Sequence, residues 1–345
     1  MHFLVALFSL FPLASLAGDA KVFARGDSRF ASDPVPVMDW SDGWQDGYRR
    51  GRYAYANVEQ SIGFGYSGWQ VEYGRRSFLD ATFSPDTAEF YYRLEHDEEI
   101  SRTYDIELEV AAFSGNGISL GYEFTLSPGL RITPEISHYV LSDYQFGEFS
   151  GSSDGDQALL LVDYYFSEDK ILEYPTDGSG GSDWSADVKD GYFTTFDLQL
   201  SWVNDLIALH VVGEDLLNTV RLPVTARTYG CVLFRHEANS SCPGGGGYST
   251  ETSYKGRIQS SLSADVTHIH SGVQLSAFRH GLYQRFGLSK LFETRVGTFS
   301  TTVYSTRQLG LAWRNPYVSF NVAADAYDAG SIRYLDFSLL LQLQW

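Results

Sequence analysis

The feature that most constrains this chain is its last segment, SIRYLDFSLLLQLQW. After Tyr334, the residues Leu335, Phe337, Leu339, Leu341, Leu343 and Trp345 recur at every second position. Successive side chains of a strand point to opposite faces, so these residues form one unbroken apolar face. A soluble sandwich gains nothing by ending on an exposed aromatic after such a ladder. The closing strand of a membrane barrel must present the ladder to lipid and pair with the first strand, so that no edge is left.

Earlier segments repeat the period of two. Ile106, Leu108, Val110 and Ala112 oppose Asp105, Glu107, Glu109 and Ala111. A turn is expected at Gly115-Asn116-Gly117. Then Ile118, Leu120, Tyr122, Phe124 and Leu126 oppose Ser119, Gly121, Glu123 and Thr125. After Ser127-Pro128-Gly129, Leu130, Ile132, Ile136 and Val140 alternate with Arg131, Thr133, Glu135 and Ser137. Phe196, Leu198, Leu200 and Trp202 oppose Thr195, Asp197, Gln199 and Ser201. Such segments of about ten residues, broken by turn residues, are the signature of a transmembrane barrel. The expected fold is all-β, a single closed antiparallel transmembrane β-barrel of about 14 strands, within a range of about 12 to 16.

Composition agrees. Aromatic residues make up 15% of the 345, with 23 Tyr and 23 Phe, and Gly is abundant at 33. Tyr and Trp suit the membrane–water interface because one end is apolar and the other hydrogen-bonds. Past the N-terminus no apolar run approaches the roughly 20 residues of a spanning helix. The formal charge of -18 argues against a nucleic-acid partner, which requires clustered Lys and Arg.

Residues 1–17, MHFLVALFSLFPLASLA, read as a cleaved signal peptide with Gly18 as the new N-terminus. Residues 18–50 lack regular periodicity and read as an N-terminal extension, either a periplasmic tail or a small plug. The barrel is then expected over residues 51–345. Short connections are expected at Ser67-Gly68, Gly115–Gly117, Ser127–Gly129 and Asn204-Asp205. Long extracellular loops are expected at roughly Gly147–Asp156, Glu168–Asp190 and Asn218–Tyr254. Cys231 and Cys242, the only cysteines, are expected to staple the last of these by a disulfide in an oxidising compartment.

Two further patterns add a resemblance. The aromatic terminus resembles the C-terminal signal of bacterial outer-membrane barrels, usually Phe and here Trp345. That implies outer-membrane lipid and the barrel-assembly machinery as partners. The irregular Gly18–Arg50 stretch, the segment LIALHVVGEDLLNTVRLP and the closing WRNPYVSFNVAADAYDAG resemble barrels related to the long-chain fatty-acid transporter. Those have about 14 strands and an N-terminal stretch that plugs the barrel. No binding residue carries over, because the matching stretches are short and degenerate.

If polar faces point inward, Asp105, Glu107, Glu109, Glu123, Glu135, Asp197 and Gln199 line the lumen, with Arg131 the only obvious cation among them. Two readings stay open: a hydrated lumen favouring cations, or a polar wall whose charges are cancelled by Lys or Arg from other strands. A lipid hydrolase would need a Ser, a His and a carboxylate or amide at the outer leaflet. His268 and Ser271 are the nearest approach to that, and no G-x-S-x-G motif is present. His236 with the cysteines, and His268 with His270, offer too few ligands for a metal. No metal and no cofactor are therefore expected. The expected function is passage of a small or hydrophobic molecule across the outer membrane, with the cargo open. The alternative is a non-transporting structural or surface-interaction barrel.

Overall fold

A computed structural model describes residues 20–41, 44, 47–155, 157–172, 187–235, 240–242 and 248–345. Residues 1–17, expected to be a signal peptide, and His236 lie outside the described residues. The strands are β1 (Lys21–Ser32), β2 (Tyr53–Tyr66), β3 (Trp69–Phe83), β4 (Asp105–Tyr122), β5 (Phe124–Ser127), β6 (Leu130–Asp154), β7 (Gln157–Phe166), β8 (Gly191–Val203) and β9 (Ile207–Arg235). They continue as β10 (Ser240–Ser241), β11 (Tyr248–Gly256), β12 (Ser261–His268), β13 (Val273–His280), β14 (Tyr283–Thr294), β15 (Gly297–Tyr304), β16 (Leu309–Arg314), β17 (Val318–Ala324) and β18 (Tyr334–Gln344). Among the described residues the one α-helix, α1 (Pro85–Glu95), follows β3.

Several strands are pieces of one stave. β5 continues β4, β7 and β8 both lie between β6 and β9, and β10, β11 and β12 all pair with β9. The sheet is therefore a closed antiparallel barrel of 14 staves. Closure runs through β1 and β18, from Lys21↔Gln344 to Ala31↔Tyr334. Closure satisfies every edge, which a membrane-spanning sheet requires.

This closure corrects two expectations. The described wall includes Lys21–Ser32 as its first stave, ahead of Gly51, so these residues of the 18–50 stretch are wall and not tail or plug. Its outward face, Val22, Ala24, Gly26, Ser28 and Phe30, is made mostly of small residues, and its inward face carries Arg25, Asp27 and Arg29. Neither face shows the apolar stripe by which strands are recognised in sequence. Gly115–Gly117 is likewise no turn but part of β4. A side chain at Gly117 would strike the Tyr139 ring, and one at Gly115 would sit 2.9 Å from Leu141. These glycines leave room for the inward Tyr139 and Leu141 side chains of β6, and for its backbone, to lie close against the strand.

The remaining turns fall where expected. Ser67 (φ 50°) and Gly68 (φ 86°) join β2 to β3 with both central residues left-handed, as a two-residue hairpin requires. Gly129 (φ 83°) turns β5 into β6. The Asn204 side chain accepts from the amides of Leu206 (2.8 Å) and Ile207 (2.7 Å). These turns share one end of the barrel with Trp345. Among the described residues, the other end carries residues 33–41, 44 and 47–52, α1, and residues 167–172 and 187–190 between β7 and β8. Gly147–Asp154 and Asn218–Arg235 were expected in loops, but they are strand, so β6 and β9, paired there with β4, β7 and β11, make this side of the wall far longer than β12–β17. A Cβ at Gly147 would lie 2.9 Å from the Asp163 carbonyl, so its glycine marks close strand pairing and not a loop.

Trans-barrel contacts identify the inward face. Arg76 of β3 reaches Asp215 of β9, and Asp80 of β3 reaches His280 of β13. On the opposite face, Ile62, Phe64, Trp69, Val71, Tyr73, Ile118 and Leu120 are exposed, as are Leu275, Leu288, Leu311, Phe337, Leu341 and Leu343. A girdle of large exposed apolar side chains around a closed sheet is the surface of a membrane-spanning barrel.

Candidate functional site: a closed lumen and a roofed apolar pocket

The lumen has two layers. In the upper one, Tyr55, Phe78, Phe113, Phe193, Phe278 and Tyr283 are all buried. Phe78 stacks on Phe113 at 5.2 Å, Phe113 meets Phe193 at 4.9 Å, and Tyr55 meets Phe278 at 6.3 Å. These rings come from β2, β3, β4, β8, β13 and β14, so they reach across the barrel and fill it at this level. His280 ties the layer together, bonding Asp80 at 3.1 Å and Ser261 at 2.9 Å.

Below the rings lies a polar chamber of about 330 Å³. Its centre is Arg76, which donates to both carboxylate oxygens of Asp215 at 2.8 and 2.6 Å and to Asn57 at 3.0 Å. Asp215 occupies a bulge of β9 and is left-handed (φ 57°), a conformation rare outside Gly and Asn. The bulge points its amide at Asp197 Oδ1, 2.6 Å away. Arg29 pairs with Asp336 at 2.9 Å, Arg25 with Glu72 at 3.5 Å, and Arg285 also bonds Asp336. The segment LIALHVVGEDLLNTVRLP is therefore continuous strand from Ile207 onward, with a buried ion pair at its bulge.

The expected lumen residues separate by height. Glu135, Asp197 and Gln199 line the chamber. Glu123 and Arg131 pair at 3.5 Å near the short-turn end, each about half exposed. Asp105, Glu107 and Glu109 share the inward face but stand exposed at the long-loop end. The four arginines that offset the acids were not singled out from sequence. Arg25 and Arg29 lay in the stretch read as a tail or plug. Arg76 was legible as the inward partner of Glu72, Gly74 and Phe78 in one alternating run.

A different cavity lies on the outward face of the tall staves. It holds about 360 Å³. Its floor is Leu79, Ala81 and Phe83 of β3, Ile106 and Val110 of β4, and Phe149 and Leu160 beyond them. Register places these side by side: Phe83↔Leu108, Ala81↔Val110, Leu108↔Phe149 and Gly151↔Leu160. The roof comes from three places: Trp40 and Trp44, the α1 residues Ala88, Phe90 and Tyr91, and the Lys170–Leu172 stretch. Trp44 packs edge-on to Tyr91 at 5.0 Å, and Trp40 stacks on Phe83 at 6.0 Å.

The sequence builds this roof locally. Ser84 caps α1 by accepting from the Thr87 amide at 3.0 Å, and Pro85 occupies the first turn. Thr87 Oγ1 then donates to the Glu107 carbonyl and accepts from its amide, both at 2.8 Å, tying α1 to the free top edge of β4. Arg102 clamps the outer side, donating to both oxygens of Asp86 at 3.1 Å and to Glu89 at 3.0 Å. The Arg102 hydrogen bonds hold the Asp86 carboxyl below its ordinary range. Burial pushes Glu89 up, but bonds from Arg102, Arg93 and Tyr104 outweigh it and leave its carboxyl lowered too.

The remaining candidates fall elsewhere. Cys231 and Cys242 are joined, with Cα atoms 5.7 Å apart. His268 Nδ1 meets Ser271 Oγ at 2.9 Å and accepts from the Ser271 amide at 3.2 Å. That pair closes the turn after β12 at the short-turn end, away from the pocket. The His268 and His270 rings stand 6.0 Å apart.

No family model and no curated protein matches the chain. Among solved structures, it is similar to the crystal structure of the Pseudomonas putida toluene transporter TodX, at 8% identity and a TM-score of 0.37, over 95% of this chain and 89% of that one. It is also similar to the crystal structure of a Pseudomonas aeruginosa FadL homologue, at 11% identity and a TM-score of 0.37, over 94% of this chain and 89% of that one. Both fall in the broad group of barrels that the sequence resembles. Likeness at this level leaves the assignment of the site to the geometry above.

Proposed function

We propose that the chain is an outer-membrane barrel that takes up a small hydrophobic molecule, received in the roofed pocket at its extracellular end. The long-loop end is taken as extracellular because outer-membrane barrels keep short turns on the periplasmic side. Export through the leader 1–17 and insertion by the barrel-assembly machinery through the closing strand belong to the same proposal.

One observation carries the reading: a cavity of about 360 Å³, walled almost wholly by aromatic and aliphatic side chains, at the end that would face the environment. Ligand sites are concave, largely apolar and preformed, on the order of 300 Å³ and above. A general water-filled pore has no support, because aromatic rings fill the lumen above the polar chamber. The same filling favours a second reading, a surface barrel that binds a hydrophobe without passing it inward.

Uptake of radiolabelled naphthalene by cells carrying the folded barrel tests the proposal. Val110→Glu places a carboxylate on the pocket floor. Uptake should fall several-fold in this variant at equal surface level. Equal uptake removes the pocket from the function. Binding without any uptake in the unaltered barrel selects the second reading.

A further inference from the structure

The chain carries 25 basic against 43 acidic residues, and most of the arginines described above are held by carboxylates. Three cations break this rule together. Arg221 on β9, Lys255 on β11 and Arg257 just past β11 line a shallow outward cavity of about 340 Å³ with Thr219 and Gly256. All three are exposed, and among the described residues none has a carboxylate within 4.0 Å. Glu251, farther up β11, accepts instead from the Asp187 amide at 2.9 Å.

Register fixes where they point. Arg221 is paired with Tyr192 on one side and Lys255 on the other. Val220, Leu222 and Tyr254 belong to the inward cluster, so their neighbours Arg221 and Lys255 face outward. Height follows from the same strand. Leu217, 72% exposed and outward, lies four residues below Arg221. At about 3.3 Å per residue, Arg221 sits roughly 13 Å along the strand from that lipid-facing leucine, and somewhat less in height because barrel strands tilt. The exposed Tyr192 ring beside Arg221 suits the interface, where aromatic side chains concentrate. Above, the Val224 carbonyl is covered by the Lys189 amide at 3.1 Å. The groove thus occupies the step between the apolar girdle and the covered upper wall.

We propose that Arg221, Lys255 and Arg257 bind a phosphate of an outer-leaflet lipid, whose acyl chains lie along the exposed Leu216 and Leu217. Arginine offers a planar fork matched to phosphate oxygens, and lysine adds a point charge. On so acidic a chain, unpaired cations gathered at headgroup height suit an anionic ligand held at the membrane surface. The inference rests on the membrane-spanning barrel and not on the pocket or its cargo.

Native mass spectrometry of the refolded full chain with diphosphoryl lipid A tests it, with inorganic phosphate as competitor and a zwitterionic phospholipid as control. One lipid A should stay bound, weakened by salt. The Arg221→Gln/Lys255→Gln/Arg257→Gln variant should bind roughly a hundred-fold more weakly, at about a factor of five per cation. Arg257→Lys should lose little, and Lys255→Gln/Arg257→Gln gives an intermediate readout if the triple variant folds poorly. Undiminished binding in these variants overturns the site. Equal retention of the zwitterionic control overturns the role of charge. Displacement of lipid A by millimolar inorganic phosphate would assign the groove to a free anion and overturn the lipid.

Discussion

The outward face of β4 does two different jobs along one strand. Toward the short-turn end, Ile118 and Leu120 stand exposed, as does Phe124 on the collinear β5. Toward the other end, Ile106 and Val110 continue the same parity but are buried, and Leu108 is packed against the same cluster under the roof formed by α1, Trp40 and Trp44. The alternation in sequence is the same in both halves. What differs is the partner, lipid below and protein above. A strand that outgrows the bilayer must cover its apolar face with something else, and here the cover leaves a cavity of ligand size. The inward face divides in the same way. Below the aromatic layer it is charged and offset by arginines, whereas near the mouth Asp105, Glu107 and Glu109 stand in solvent.

The largest effect should come from breaking the charge match in the lower half. Asp215→Ala leaves Arg76 buried without its bidentate partner and should cost about 3–5 kcal/mol. Replacing both residues by apolar side chains of similar volume should recover part of that loss, because the buried pair is removed whole, but the half-buried Glu59 loses its 3.2 Å contact with Arg76. Urea unfolding followed on heat-modifiable gels reads both variants. A mild effect of Asp215→Ala would show that water reaches Arg76 and that the chamber is open.

A smaller effect separates the halves by pH. Asp86 and Glu89 hold their protons less tightly in the folded roof than in the unfolded chain. Their contribution is therefore present above the ordinary carboxylate range of about pH 4 and is lost as pH falls through the lowered folded values. Hydrogen-exchange protection in α1, referred to the intrinsic rate at each pH, should hold from neutral pH down to about pH 5 and drop several-fold below about pH 4, while β18 stays protected. Faster exchange in β18 at the same pH would show that the roof and the barrel open as one unit.

Much of the barrel was legible. The closing ladder, the turns at Ser67-Gly68, Ser127–Gly129 and Asn204, the opposed faces of β4 and β8, and the Cys231–Cys242 pairing all follow from local chemistry. What was hidden has physical reasons. Residues 21–32 alternate arginines with small side chains, so their pairing depends on β2 and β18 being present. Gly147 and Gly151 look like loop residues because strand interiors seldom need glycine, yet here they admit Tyr164 and Leu160 at close range. The pocket could not be read at all. Its floor carries the periodicity of a lipid-facing strand, and its roof is assembled from segments separated by more than a hundred residues. Arg221, Lys255 and Arg257 were overlooked because their meeting depends on register between β9 and β11.

The most direct test places a bimane-labelled cysteine at Ile118 or at Leu108, ten residues apart on one face of β4, in a barrel reconstituted into vesicles of acyl-chain-brominated lipid. Cys231 and Cys242 are already joined and leave the new thiol free to react alone. Bromine should quench the label at 118 strongly and leave the one at 108 bright, while added naphthalene should alter only the label at 108. Equal quenching at both positions would contradict the account, because the upper wall would then face lipid and no roofed pocket would exist.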